Sequence, residues 1–425
     1  MAFDGRNPKA TEPSPLPPLR LGTPTLSARL DGPVTLSTLA RLVASGAAVS
    51  KADLVAAAGL ARTTVSNGVD ELLDRGVLRV VGTRPTPGRG RPADRLALSP
   101  HGGQVLVADL GAHGAHLAVV DLSQRLRAHT HVDVDVAAGP DAVLSAVESQ
   151  LRALRAQVPG DDPVRAAVIG VPGPVDDQHG IPVRPPIMPG WHAYPVATRL
   201  RRTFGCPVLL ENDVNLRALG EARALPADQA PLLFVKVGTG IGGGLIPGAG
   251  ELHHGADGAA GDIGHVRVRG GPDIRCVCGN VGCIEALASA GAIARRLGER
   301  DGGTVSIADV RALIARGDPA VLRLVREAAE LIGEVVATLV HFYNPARVTI
   351  GGSVAAASDE LLAGIRSVVY QRALPLATRN LVLANSVLGE FAGVAGAAVL
   401  GIERVLSADG IGVLLGDARG AAARA

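Results

Sequence analysis

The residues with the most definite chemistry lie in the stretch from Gly261 to Glu285, GDIGHVRVRGGPDIRCVCGNVGCIE. Three of the four cysteines, Cys276, Cys278 and Cys283, fall here, and His265 precedes them in the pattern H-x10-C-x-C-x4-C. Three soft thiolates and an imidazole form the closed tetrahedral donor set that Zn²⁺ favours. Gly279 and Gly282 stand inside the loop, where positive φ lets the chain fold back around an ion. Four protein ligands leave no open position for water, so His265, Cys276, Cys278 and Cys283 are expected to hold a structural Zn²⁺. A CxxC redox pair does not fit, because one residue separates the two nearest cysteines. Acids flank the ligands: Asp262 precedes His265, Glu285 follows Cys283, and Glu211-Asn212-Asp213 closes an expected strand upstream. A metal that fixes the loop also fixes two of these carboxylates, so three segments can converge on a ligand rich in hydroxyls.

The elements that must position these groups are legible in outline. A chain of 425 residues has room for two or three domains. Its composition, 47% hydrophobic with 54 glycines and few aromatics, suits α/β layers built from Ala, Val and Leu. Net charge is only +2, so no global field advertises nucleic acid. No apolar run approaches the roughly 18 residues of a membrane span. The cysteine usage and the lack of a signal-type apolar stretch near residue 1 predict a cytoplasmic protein with no membrane partner.

Residues 1–30 hold six prolines and no periodicity, and read as a disordered arm. Residues 31–98 read as a winged helix-turn-helix. Leu36, Leu39, Leu42 and Val43 have helical spacing; Ser50 and Asp53 cap a second helix that Gly59 stops. A third helix begins near Arg62, with Val65, Val69, Leu72 and Leu73 on one face and Arg62, Thr63, Thr64, Ser66 and Asn67 on the other. Strands Val77–Val81 and Arg95–Leu98 then flank an arginine-rich loop. A solvated hairpin is the plain reading of such a charge run. Beside an exposed Thr/Ser/Asn face, however, it has the layout of a DNA reader, the third helix entering the major groove and Arg89 and Arg91 lying along the minor groove.

From Gln104 onward the pattern is α/β. Hairpins Val105–Asp109/Ala115–Val120 and Leu232–Val237/Gly242–Ile246 each precede βα units, which predicts two lobes, 104–225 and 226–392, with a cleft between them. Strand Val164–Val171, a strand Ile263–Val268 leading into the metal loop, and helices near 283–297, 306–316, 319–343 and 359–372 are expected, with strands Val348–Ile350 and Leu381–Ala384. A helix at about 393–406 is expected to pack back on the first lobe, and 407–425 to form a flexible tail. Trp191 reads equally as a sugar-stacking ring or a core residue.

These residues resemble the ROK family (repressors, open reading frames and sugar kinases). The resemblance rests on ENDVNLRALGE (Glu211–Glu221), GTGIGGGLI (Gly238–Ile246), the GDIGH…CVCGNVGCIE segment and IGGSV (Ile350–Val354). It implies a two-lobed actin-like (ribonuclease-H-like) sugar-kinase fold with structural zinc, here behind a winged helix-turn-helix like that of the family's repressors. By the same resemblance Asp213 would be the general base of a kinase, and Asn212, Asp213, Asp262, His265 and Glu285 would bind sugar; Asp262 stands where the family has glutamate. Asp109, Gly111, Gly238, Thr239, Gly240 and Gly242 would line the phosphates. One departure matters: family kinases read D-x-G-G-T at the first phosphate loop, whereas this chain reads Asp109-Leu110-Gly111-Ala112-His113. Sugar binding is therefore expected to survive and phosphoryl transfer to be weak or absent, with ATP and Mg²⁺ needed only by a kinase.

The expectation is a sugar-responsive, DNA-binding transcriptional regulator of the repressor type, acting as a homodimer or homotetramer on operator DNA with a sugar effector. An ATP-dependent sugar kinase that also binds DNA is the alternative.

Overall fold

The computed structural model describes residues 16–24, 32–84, 93–248 and 250–422. The first domain is α1 (Gly32–Ala44), α2 (Lys51–Ala58), α3 (Arg62–Asp74) and the antiparallel pair β1 (Leu78–Arg84) and β2 (Ala93–Leu98). Ser50 caps α2 by accepting from the Asp53 N–H, and Gly59 ends it at φ 66°. Val65, Val69 and Leu72 of α3 are buried against Leu36 and Leu39 of α1 in one cluster. Arg89 and Arg91 of the expected wing lie outside the described residues.

The first lobe carries β3 (Gln104–Leu110), β4 (Ala115–Asp121), β5 (Leu126–Val132), α4 (Pro140–Ala156), β6 (Val164–Val171), the two-residue strands β7 (Val175–Asp176) and β8 (Ile181–Pro182), α5 (Val196–Phe204), β9 (Val208–Asn212) and α6 (Asp213–Ala224). Its sheet runs β5-β4-β3-β6-β9, antiparallel through the hairpin and parallel beyond it. The second lobe repeats the theme. It has β10 (Leu232–Val237), β11 (Ile241–Ile246), α7 (Ile284–Ala288), α8 (Ala290–Asp301), α9 (Ile307–Ala315), α10 (Pro319–Tyr343), β12 (Arg347–Gly351), α11 (Ser353–Ala357), α12 (Asp359–Arg372), α13 (Pro375–Thr378) and β13 (Val382–Asn385), with sheet order β11-β10-β12-β13. In each sheet a hairpin strand pairs in parallel with the strand after its crossover, which puts both hairpin turns at one end.

The last two helices, α14 (Ala392–Val405) and α15 (Ala408–Ala422), return to the beginning of the molecule. α14 packs on β3, β6 and α6. Glycines permit this approach: a Cβ on Gly396 would lie 1.8 Å from the Leu216 carbonyl oxygen, and one on Gly220 would lie 2.1 Å from that of Ala392. Glu221, fully buried on α6, accepts from Ser386 Oγ and the Val387 N–H at 2.8 Å each, tying α6 to the segment after β13. No described helix is long and apolar enough to cross a membrane.

Several expectations require correction. Residues 16–24 of the supposed disordered arm are packed: Leu16, Leu19 and Leu21 are buried in the cluster that joins the first domain to the first lobe. Proline fixes φ and lowers the entropy lost on ordering, and each buried leucine contributes about 1.5–3 kcal/mol. The tail is also ordered in part, since Ile411 and Leu414 at helical spacing are buried and α15 packs on α1. Strand Ile263–Val268 does not form. Ile263–His265 is a 3-10 turn, and only an isolated bridge, Arg267 to Cys283, pairs the segment. The helix expected over 283–297 is two helices, broken at Ser289, whose extended backbone and side chain restart the chain as the cap of α8. Strand β5 lies outside the expected elements although LRAHTHV alternates: Leu126, Ala128 and Val132 pack against the core, with Arg127, His129 and His131 between them. Trp191 is fully buried with Nε1 donating to the Val136 carbonyl at 3.0 Å, so it is a core residue and no sugar platform.

Candidate functional site

The cleft lies between the lobes at the hairpin ends of both sheets, and its volume of about 1550 Å³ exceeds the roughly 300–1,000 Å³ usual for small-ligand sites. Asn212, Asp213, Asp262, His265 and Glu285 all border it, as do Asp109, Gly111, Gly238, Thr239, Gly240 and Gly242. The structure thus brings every sequence-expected sugar and phosphate residue to one cavity.

The END segment sits where β9 becomes α6. Asn212 caps α6, its Oδ1 accepting from the Val214 N–H at 2.9 Å and the Asn215 N–H at 3.2 Å, while Nδ2 donates to the Gly173 carbonyl. Glu211 is turned inward. Its Oε1 accepts from the Asn212 N–H and Asn215 Nδ2, and Oε2 pairs with His254 Nε2 at 2.7 Å. Glu211 raises the His254 pKa above its ordinary value through that hydrogen bond. Asp213, only 2% exposed, forms an ion pair with Lys236 of β10. Asp109, fully buried at the end of β3, is held by Arg217 Nη2 at 2.6 Å. Burial pushes the Asp109 carboxyl up while the Arg217 guanidinium pulls it down. A Cβ on Gly393 would lie 2.0 Å from Asp109 Oδ2, so glycine at the head of α14 makes the space.

Glu285, in the first turn of α7, accepts from the Ile241 N–H at 3.1 Å, and burial raises its pKa. A Cβ on Gly240 would come within 2.4 Å of its Oε2, which explains glycine in this loop independently of phosphate. At the first phosphate loop the His113 side chain is 65% exposed and faces Asp135 at 3.9 Å, while His116 of β4 and His129 of β5 lie 3.2 Å apart. Burial drives His116 down to about 4.

Adjacent to Glu285, the donor atoms of His265, Cys276, Cys278 and Cys283 lie within 4.8 Å of one another and could hold a metal ion. Cys278 and Cys283 Sγ are 3.8 Å apart, and Cys276 Sγ is 3.7 Å from His265 Nδ1. Two sulfurs at about 2.3 Å from a tetrahedral ion are about 3.8 Å apart, so the residues fit the group. Gly279 at φ 95° and Gly282 at φ 72° make the loop's reversals. With Nδ1 aimed at the thiol side, His265 leaves Nε2 facing Asp262 Oδ1 at 3.8 Å on the cleft side.

In the first domain, Arg62, Thr63, Thr64 and Asn67 are exposed at the start of α3. Ser66 is half-buried, and its Oγ accepts from Lys51 Nζ at 3.1 Å; Lys51 also pairs with Asp70. Sequence reasoning missed Lys51, Arg217, Lys236 and His254. Lys236 carried a signal, a lone charge in the apolar strand LLFVKV; Arg217 and His254 carried none, since their partners are distant in sequence.

The profile of the ROK family matches residues 105–404. The chain belongs to the ROK family. This ROK chain is 26% identical over 374 residues to the xylose repressor of Caldicellulosiruptor bescii, spanning 84% of this chain and 93% of that one. It is 34% identical over 253 residues to a glucokinase of Thermotoga maritima, spanning 56% of this chain and 79% of that one. A crystal structure of a ROK family transcriptional regulator, a homologue of the E. coli MLC protein, superposes with a TM-score of 0.73 at 25% identity, covering 90% of this chain and 98% of the other.

Proposed function

We propose that this ROK protein is a sugar-responsive transcriptional repressor. The observation that carries the reading is continuity: α6 begins at the cleft with Asp213, and its far end touches residues 16–24, which share one apolar cluster with the DNA-reading domain. Arg20 Nε and Nη2 donate to the carbonyls of Leu225 and Ala222, and the Arg20 N–H donates to the Arg223 carbonyl. On the other side, Ser37 Oγ of α1 donates to the Leu406 carbonyl at the end of α14. A sugar that favours one lobe angle therefore moves the elements on which α1–α3 sit, provided it binds one state better than the other. Similarity to a protein named xylose repressor supports the same reading.

In this reading α3 meets operator DNA through Arg62, Thr63, Thr64, Ser66 and Asn67, with Arg89 and Arg91 on the wing. Asn212, Asp213, Asp262, His265 and Glu285 receive the sugar. Zn²⁺ on His265, Cys276, Cys278 and Cys283 supplies no chemistry; it cross-links the loop so that Asp262 and Glu285 hold station. The protein works in the cytoplasm as a homodimer or homotetramer, because paired heads match half-sites a helical turn apart. The domains are the head at 31–98, the lobes at 104–225 and 226–392, and α14 returning to the first lobe.

The test is operator affinity, on DNA selected from a random pool, with and without a panel of sugars; an affinity that no sugar changes defeats the proposal. A sugar kinase is the second reading, favoured by Asp213 and the glycine loop Gly238–Gly244. ATP turnover on hexoses that disappears in Asp213→Asn would establish it.

A further inference from the structure

Lys236 is a residue that none of the motifs contains. It is the one charge in β10, and its side chain leaves the strand to pair with Asp213. Lys236 is 19% exposed at the side chain and Asp213 2%. Arg217 separately holds Asp109 at 2.6 Å, so the floor of the cleft carries two cation–carboxylate pairs. That pairing changes what Asp213 can do. A general base needs a free lone pair facing the proton it takes, and the Asp213 carboxylate already meets the Lys236 ammonium. The same pair is well suited to holding a hydroxyl, which is donor and acceptor at once: its O–H donates to Asp213 while its oxygen accepts from Lys236, and no proton leaves.

We propose that Lys236 and Asp213 together recognise one sugar hydroxyl, so that the ligand of this cleft is an unphosphorylated sugar with a free hydroxyl at that position. The proposal rests on the sugar-sensing reading and names its ligand class. A phosphate ester at the same position has lost the hydroxyl hydrogen that Asp213 would accept. It also brings negative charge among Asp213, Asp109 and Glu285, all of which border the cleft. A deoxy sugar gives neither partner a contact and keeps both from water, the situation in which hydroxyl-reading sites discriminate most.

Titration calorimetry on the full chain with zinc bound tests this. A panel of hexoses and pentoses is followed, for the sugar that binds, by its deoxy and phosphorylated analogues at each position. One deoxy analogue and the matching phosphate should bind the wild type at least ~10-fold more weakly than the parent sugar. Lys236→Met, which keeps the Asp213 acceptor, should weaken the parent sugar by about tenfold. The double variant Lys236→Met/Asp213→Leu offers the hydroxyl neither partner and leaves no lone buried charge, so it should bring the parent-to-deoxy ratio within about threefold with an unchanged circular dichroism spectrum. A phosphorylated sugar that binds more tightly than its parent, a preference that Lys236→Met erases, overturns the proposal. So does a Lys236→Met protein with the wild-type affinity for the parent sugar. If no sugar binds the wild type, the sensing reading itself falls, an outcome distinct from a sugar that binds with the wrong selectivity.

Discussion

At the scale of residues, the site is a set of groups whose charge is managed by particular neighbours. Removing the side chain of Arg217 leaves Asp109 fully buried without its ion-pair partner. Arg217→Ala is therefore expected to lower stability by about 3–5 kcal/mol, read as a shift in denaturant midpoint. His254 gives a pH prediction. Its pKa is raised in the folded protein by Glu211, so the folded state binds the proton more tightly than the unfolded chain does. The resulting stabilisation is fully present below the unfolded value of 6.5 and is lost as pH rises through the folded value. Unfolding curves of His254→Gln should show less loss of stability over that window than the wild type; parallel curves would refute the coupling. Cys278→Ser should abolish stoichiometric metal content and loosen the loop, measured by elemental analysis and by weaker sugar binding, because three ligands bind a structural ion far less tightly than four.

At the scale of elements, α6 is the part on which the others converge. Its 12 residues span about 18 Å. Its N-terminus carries Asn212 and Asp213, its middle meets α14 through Gly220, and Arg20 caps its last carbonyls. Arg20→Ala removes charged hydrogen bonds worth about 1.5–3 kcal/mol. It is expected to lower stability within that range while leaving sugar affinity unchanged and reducing the effect of sugar on operator binding. Gly396→Val forces α14 away from the Leu216 carbonyl, and overpacking of this kind costs about 1–3 kcal/mol. Equal melting temperatures for Gly396→Val and wild type would show that the two helices can separate freely.

At the scale of the whole molecule, the DNA-reading head is not a bead on a string. Residues 16–24, α1, α14 and α15 share one apolar cluster with the first lobe, so movement of that lobe is movement of the platform under α3. The near-neutral total charge also puts the weight of DNA affinity on local contacts. Arg62→Ala is expected to weaken binding on every sequence and to reduce the slope of log K against log salt by about 1. Thr64→Ala or Asn67→Ala should instead alter which sequence is preferred, as measured by selection from a random pool.

The sequence alone determined what depends on local spacing. The ligand pattern of His265, Cys276, Cys278 and Cys283, the three helices of the head, the capping by Ser50, the two glycine hairpins and the long helix α10 are all written in residues a few positions apart, because periodicity and turn chemistry act over short range. Only the tertiary structure decided the rest. Lys236 meets Asp213 across 23 residues, Arg217 meets Asp109 across 108, and Arg20 meets α6 across about 200. The arm and the tail looked loose for the same reason: neither has a partner within its own segment, and leucines spaced among prolines become core only when a distant helix supplies the other half of the contact. Burial and ion pairing are properties of what the fold places opposite a residue, and a chain read in order does not contain them.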